Sequence, residues 1–256
     1  MCGRYATTTN PATLAVELDA LDETGDTGFS PNYNVAPTNQ VLTVVQRHDR
    51  EHLEDPATLR VRAMRWGLIP PWTKTAEPGV PVKGKPLFNA RADKAATTAS
   101  FRDAVKKRRC LVPMDGWYEW VTEPGGTGKA VKHPFFMSEA DGGRLYMAGL
   151  WSVWRDRDQG DAAQTLLSCT ILTTDAVGEL TKVHDRMPLP MPREHWDAWL
   201  DPDHPAPEEL LETPAAAAVS NILIRPVPML VNSVKNNGPE LLSEVDEQAG
   251  QQISLI

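Results

Sequence analysis

The second residue of this 256-residue chain is a cysteine. Cysteine is small enough that removal of the initiator Met1 is expected, leaving an α-amine and a thiol on adjacent carbons of Cys2. Such a 1,2-aminothiol has reference pKa values of about 7.7–8.0 for the amine and about 8.5 for the thiol, so a usable minority of each is nucleophilic at neutral pH. With an aldehyde it forms an imine, and the thiol then closes a five-membered thiazolidine. A simple imine hydrolyses readily, whereas ring closure traps it. Cys110 and Cys169 lie in apolar, strand-like patterns, where a free cysteine behaves as a small hydrophobe, and are expected to be inert core residues. Taken alone, a cysteine at position 2 is an ordinary residue. Other residues must change that reading.

Two further patterns carry little. Gly125-Gly126-Thr127-Gly128-Lys129-Ala130 approaches a phosphate loop, but Glu123 stands where the first glycine belongs and Ala130 where the Ser or Thr belongs, so it reads as a hairpin tip. His48 and His52 are four apart with no third ligand near them in sequence, which points to a solvated loop and to no metal site.

The elements around these residues are short. Asn10-Pro11 reads as an N-cap and first-turn proline, with Leu14, Leu18 and Leu21 following at helical spacing. Tyr33 to Pro37 is an extended lead-in to a strand at 41–45, and the polar stretch 46–58 is a hairpin excursion before a returning strand at 61–68. Residues 73–86 read as a mobile loop. Ser100 and Asp103 form a capping-box pattern ahead of a short amphipathic helix carrying Phe101 and Val105, and Lys106, Lys107 and Arg109 are read as its solvated basic face. Strands are expected at 110–112, in DGWYEWV, and at 134–137, 145–153 and 165–173. Thr174 is read as the cap of a helix carrying Ala176, Val177, Leu180 and Val183 and ending near His184, and the helices near 194–200 and 208–212 as acidic and peripheral. No internal repeat and no long linker separates two domains, so one domain over residues 1–245 with a tail at 246–256 is expected.

Composition excludes several classes. With 26 Lys and Arg against 34 Asp and Glu, 41% hydrophobic residues, 22 Pro and 17 Gly, the chain reads as a soluble globular protein of short strands and turns. No apolar run approaches the roughly 18 residues of a membrane span. The N-terminus lacks the basic and apolar regions of a signal peptide, and three cysteines without CxxC spacing argue against a disulfide scaffold or thiolate zinc site. A cytosolic, reducing location is expected. Charge is uneven: residues 193–256 hold three basic and eleven acidic residues, whereas 91–109 hold seven basic and two acidic. That excludes a chain coated in positive charge and leaves room for a groove contacting a few phosphates.

Seven segments then fall into one order: MCGRY at the start, YNVAPT at 33–38, RWGLIPPW at 65–72, FNARAD at 88–93, RRCLVPMDGWYEW at 108–120, TKVHDRMP at 181–188 and VNSVKNNGPEL at 231–241. Together, over almost the whole chain, they resemble the SRAP family of abasic-site processing proteins. Asp93 departs from the glutamate usual there, and the loops at 46–58 and 121–132 are individual. The resemblance implies an α+β single domain with antiparallel sheets in a barrel-like, two-sheet core flanked by short helices. It implies a protein that senses abasic sites in single-stranded DNA and shields them by a thiazolidine crosslink from Cys2 to the ring-opened deoxyribose aldehyde, with self-processing of Met1 and a lyase or reversal step as further activities.

By the same resemblance Asn89 lies at the N-terminus, holding amine or sugar, Glu119 shuttles protons for imine formation, and His184 serves the sugar hydroxyls. Arg4, Arg91 and Arg186 are expected to contact phosphate, Asn34 and Pro37 to line the strand path, and Trp66 and Trp120 to lie near the flanking bases. Of Trp66, Trp72, Trp117 and Trp120, half are expected to face DNA, while Trp151, Trp154, Trp196 and Trp199 read as core. No metal, organic cofactor or membrane is implied. The expected partner is single-stranded DNA containing abasic sites, bound by a monomer in the cytoplasm, at the nucleoid in a bacterium, with replication-fork proteins unspecified. Two other readings compete: a non-covalent reader of single strands or modified bases, and an N-terminal-cysteine amidohydrolase.

Overall fold

The computed structural model describes residues 2–25, 28–84, 86–124, 128, 130–156, 160, 163 and 165–245. In chain order these form β1 (Arg4–Thr7), α1 (Pro11–Glu17), β2 (Leu21–Asp22), β3 (Asn32–Val35), β4 (Gln40–Arg47) and β5 (Thr58–Trp66). There follow β6 (Thr75–Glu77), β7 (Val80–Pro81), β8 (Asn89–Arg91), α2 (Ala92–Ala95), α3 (Arg102–Lys107), β9 (Arg109–Met114) and β10 (Gly116–Glu123). The remainder comprises β11 (Val131–Glu139), β12 (Leu145–Arg155), β13 (Thr165–Asp175), β14 (Arg186–Pro188), α4 (Trp196–Leu200) and β15 (Ile222–Pro226), with single 3₁₀ turns between them. Among the described residues no helix is long and apolar enough to cross a membrane.

Strands β13, β12, β9, β4 and β5 pair in that order, and a parallel contact of Ser168 and Cys169 on β13 with Arg65 and Trp66 on β5 closes them into a five-stranded barrel. A second five-stranded sheet runs β15, β11, β10, β1, β3. The expected α+β architecture, a barrel and a second sheet with few short helices, is therefore present.

Alternation along the strands explains how the layers pack. Neighbours such as Val44 and Val45, or Leu111 and Val112, point to opposite faces of the barrel wall. Val44, Leu111, Leu150 and Leu172 join a cluster with Leu14, Ala92, Ala104 and Trp196 from the helices. Val45, Val112, Cys169 and Ile171 join the other cluster, where Tyr5, Trp117 and Met137 of the second sheet meet them. Cys110 and Cys169 are fully buried, as expected of small hydrophobes.

Several local expectations are corrected. Helix α1 starts as predicted, the Asn10 side chain accepting from the Ala12 N–H, but it stops at Glu17 because Asp19 takes a positive φ of 51°. Leu21 therefore leaves the helix and sits exposed on β2. The returning strand begins at Thr58 and ends at Trp66, where Gly67 adopts φ 122°, a conformation that L side chains rarely take. The 73–86 stretch is not a bare loop: β6 and β7 form a small hairpin, held by Thr75 Oγ1 and the Gly79 N–H on the buried carboxylate of Asp156 at 2.8 and 2.6 Å. The Trp154 indole donates to the Thr73 carbonyl beside it at 2.8 Å.

The Ser100–Asp103 capping box does not form: the N-cap of α3 is Phe101, which offers no side-chain cap, and the helix starts at Arg102. Arg109 is not on that helix. It opens β9, is buried, and donates to the carbonyls of Val105, Lys106, Trp199, Asp201 and His204, so one guanidinium satisfies the open C-terminal carbonyls of α3 and of the turn after α4. Thr174 lies within β13, and the helix expected after it is a 3₁₀ turn, Gly178–Lys182. The segment near 194–200 is not peripheral, since Trp196 and Trp199 are core residues. The segment near 208–212 is a 3₁₀ turn, Glu208–Leu211. The strand at 89–91 is only three residues long and that at 222–226 is a short apolar run without alternation, so neither was read from periodicity. Of the phosphate-loop-like segment, residues 125–127 and 129 lie outside the described residues, as does the tail 246–256; the flanking strands β10 and β11 pair up to Glu123 opposite Val131.

Candidate functional site

The site is assembled at the end of β13 and at the start of β1. Strand β1 pairs antiparallel with β10, Arg4 opposite Tyr118 and Tyr5 opposite Trp117, which brings the chain start beside the strand that carries Glu119 and Trp120. Strand β8 runs parallel to β13, Asn89 opposite Ile171 and Arg91 opposite Thr173. Strand β14 pairs with the same end of β13 from the other side, Arg186 opposite Asp175. One long strand thus gathers the FNARAD and HDRMP segments, although they are nearly a hundred residues apart in sequence.

Four residues meet there. Cys2 is fully buried, and the Asn89 side-chain amide donates to its carbonyl at 2.6 Å. The Asn89 Oδ1 is buried and, among the described residues, has no hydrogen-bond partner. Burial pushes the Cys2 thiol far above its ordinary range, and the nearby Glu119 carboxylate adds to this. Burial likewise holds the Glu119 carboxyl above the usual carboxylate range, while the charge of His184 works against that rise, so Glu119 stands within electrostatic reach of both Cys2 and His184. A rise of this kind favours the protonated carboxyl, the form able to donate a proton.

His184 follows the 3₁₀ turn Gly178–Lys182 and is partly exposed. Its Nδ1 accepts from the Arg186 N–H at 2.9 Å and lies 2.7 Å from an Asp185 carboxylate oxygen. The two contacts require opposite states of Nδ1. Asp185 is 86% exposed, so its ion pair is solvent-screened.

The predicted phosphate and strand-path residues divide. Arg4 is half-buried. Its Nη1 donates to Asn34 Oδ1 at 2.7 Å and to the Val231 carbonyl at 2.9 Å, and the guanidinium lies 5.8 Å from the Trp120 ring. Asn34 is buried and is occupied from within: its amide donates to the carbonyls of Val231, Ser233 and Asn236 at 3.3, 3.0 and 3.0 Å. It clamps the VNSVKNN segment and does not itself line a surface. Arg91 is exposed and holds Asp93 through two contacts of 3.0 and 2.8 Å, so the shorter Asp at that position still reaches its arginine. Arg186 donates to Asp175 at 2.5 Å and to the Thr173 carbonyl at 2.6 Å.

Trp66 is corrected: it is fully buried, packs edge-on against Tyr5 and Phe88, and donates its indole N–H to the Phe88 carbonyl at 2.8 Å. Its backbone accepts from the Thr38 N–H at 2.7 Å and donates to the Asn39 carbonyl at 2.9 Å. Trp66 therefore supports the half-buried Pro37 turn on one side and the strand bearing Asn89 on the other. The surface tryptophans of the motif set are Trp72, which is 53% exposed, and Trp120, which is half-buried with its indole N–H on Asn232 Oδ1 at 2.5 Å. Trp66 was expected near the flanking bases, but the exposed tryptophan of its motif is Trp72. Pro70 and Pro71 before Trp72 were the available signal, since neither can donate to a strand ladder and the strand has to stop ahead of them. His48, outside the site, contacts Asp203 and the Asp55 carbonyl at 2.9 and 2.7 Å.

A closed small barrel bearing a second sheet, with a buried cysteine near the chain start that an asparagine, a glutamate and a histidine approach from distant segments, defines a single-domain class in which the chain start is part of the site. The chain belongs to the SRAP family: the family model described as SOS response associated peptidase (SRAP) matches residues 1–234. It is 32% identical over 252 residues to the abasic site processing protein YedK of Escherichia coli, covering 96% of this chain and 100% of that one. It is 31% identical over 249 residues to the abasic site processing protein YoqW of Bacillus subtilis, covering 94% and 99%. Among solved structures, a protein from Bacteroides thetaiotaomicron superposes with a TM-score of 0.74 at 22% identity, covering 96% of this chain and 100% of that chain, which shows the shared fold.

Proposed function

We propose that this protein processes abasic sites in single-stranded DNA by forming a covalent thiazolidine through Cys2. The observation that carries the reading is the convergence of Asn89 and Glu119 on Cys2, the first by a direct hydrogen bond spanning 87 residues of sequence. The names of the curated relatives supply the substrate class. Once Met1 is removed, the Cys2 amine attacks C1 of the ring-opened deoxyribose. The Glu119 carboxyl gives its proton to the carbinolamine hydroxyl, water leaves, and an imine remains. The thiol then adds across the C=N bond: an S–C bond forms and the nitrogen takes up the proton.

In this reading Asn89 fixes the attacking residue by its carbonyl, and its unused Oδ1 is available to the amine or the sugar. His184 serves the sugar hydroxyls and ring opening. Arg91 and Arg186 face the backbone phosphates, and Trp72 and Trp120 offer ring faces to the bases, a sequence-tolerant mode worth about 1–3 kcal/mol per base. Removal of Met1 by the protein itself is a further proposed activity, with Cys2 as nucleophile and Glu119 or His184 as base.

The test is to mix protein confirmed by intact mass to begin at Cys2 with a single-stranded oligonucleotide carrying one abasic site, and to look for a denaturation-resistant species without borohydride. A species lost on Cys2→Ala carries the reading. Its absence from wild-type protein, with binding retained, would replace the reading with that of a non-covalent reader.

A further inference from the structure

Tyr5 is fully buried on β1, three residues from Cys2, and shares its apolar cluster. Its ring is fixed edge-on against Trp66 with centroids 5.2 Å apart. Yet its hydroxyl, buried with the rest, has no hydrogen-bond partner among the described residues. A buried hydroxyl left unpaired costs free energy, and phenylalanine would fill the same space without that cost. The Cys2 thiol is poorly partnered as well: its contact with the Arg4 carbonyl is 4.0 Å, too long for a strong bond. Burial pushes the Tyr5 hydroxyl well above the ordinary phenol range, and the thiols of Cys169 and Cys2 add to this, which sets both sulfurs within electrostatic reach of the ring oxygen.

We propose that the Tyr5 hydroxyl is the hydrogen-bond donor to the Cys2 sulfur during ring closure, a contact completed when that sulfur ionises. The inference rests on the thiazolidine reading and deepens it by naming the group that makes a buried thiolate tolerable. The thiol proton passes first to the imine nitrogen, leaving a thiolate and an iminium, and the thiolate then attacks the iminium carbon to form the S–C bond. Tyr5 keeps its own proton throughout and donates an O–H···S hydrogen bond.

The test compares wild type with Tyr5→Phe, both beginning at Cys2, on single-stranded DNA with one abasic site, following two species in parallel. Borohydride-trapped product reports the imine, and product stable to denaturation without borohydride reports the closed ring. The expected result is imine formation at the wild-type rate with ring closure slowed about tenfold, the effect of losing one hydrogen bond to a charged group. Ring closure at the wild-type rate in Tyr5→Phe, together with a raised melting temperature, would overturn the proposal and make the hydroxyl a tolerated defect. Cys169→Ala is expected to leave ring closure unchanged; slowing equal to that of Tyr5→Phe would assign the hydroxyl to Cys169 and also overturn it. Wild-type protein that yields neither imine nor ring would instead remove the thiazolidine reading, so the two failures are distinguishable.

Discussion

The Asn89 side-chain amide donates to the carbonyl oxygen of Cys2 at 2.6 Å, tying the first residues of the chain to a strand that begins 87 residues later. A chain start is ordinarily among the most mobile parts of a domain. Here it is fully buried and fixed, so any group on Cys2 is presented in one position. Asn89→Ala is expected to lower the rate of adduct formation by on the order of 10²-fold, the cost of letting reacting atoms drift by about 1 Å. Affinity for single-stranded DNA, measured by fluorescence anisotropy, should change little.

Glu119 gives a pH dependence whose sign follows from its environment. Burial raises its pKa in the folded state. Its stabilising contribution is present below the unfolded carboxylate pKa and is lost as pH rises through the folded value, because the ionised form is the disfavoured one inside. As the proposed proton donor it acts below that folded value, so the rate of imine formation should fall as pH rises through it. Glu119→Gln should slow imine formation and flatten both profiles. A wild-type slope retained by the variant, in borohydride-trapping rates and urea unfolding across pH, would assign the dependence elsewhere.

Trp66 and Trp72 separate stability from binding. Trp66 is buried under the Pro37 turn and the Phe88 carbonyl, and truncating it to Ala should cost about 3–5 kcal/mol in unfolding free energy. Trp72 is 53% exposed, and Trp72→Ala should leave the unfolding midpoint in place while weakening single-stranded DNA binding by about 1–3 kcal/mol. Denaturant melts and anisotropy titrations on the same preparations check both halves.

Arg91 is the exposed arginine of the site, at 55% side-chain exposure, and is held by its near neighbour Asp93. If it meets one phosphate, Arg91→Gln should reduce the slope of log K against log salt by about 0.7. Arg186 is 11% exposed and anchors Asp175 and Thr173, so Arg186→Gln should lower stability as well as affinity.

Asn34 should behave as an internal clamp. Asn34→Ala breaks its bonds to Arg4, Val231, Ser233 and Asn236, leaving buried groups unpaired at about 1–3 kcal/mol. Hydrogen exchange should become faster in residues 231–236 before it does elsewhere. Unchanged protection there would show that the segment is held by other contacts.

Much of this molecule is written in local sequence. That loss of Met1 would leave an aminothiol on Cys2 follows from residue order alone. Alternating apolar residues mark the long strands β4, β9, β12 and β13, and Asn10-Pro11 marks the start of α1, because these signals act within a few residues. The four chemistry-bearing residues were legible through the motifs around them. What local sequence leaves open is the direction in which each side chain points and the distant group it meets. Trp66 and Trp72 sit in one motif with one chemistry, yet barrel closure through Cys169 opposite Trp66 buries the first and leaves the second outside. Arg4 and Asn34 have the side chains of nucleic-acid contacts, but the fold sets them facing a carbonyl-rich turn some 200 residues on, which takes up their donors. The raised pKa of Glu119 is likewise invisible in DGWYEW, since it comes from desolvation by strands remote in sequence. Sequence by itself determined which groups are present and which strands carry them; the tertiary structure decided which are buried, paired or exposed, because burial and partnership depend on contacts that no local window of the chain contains.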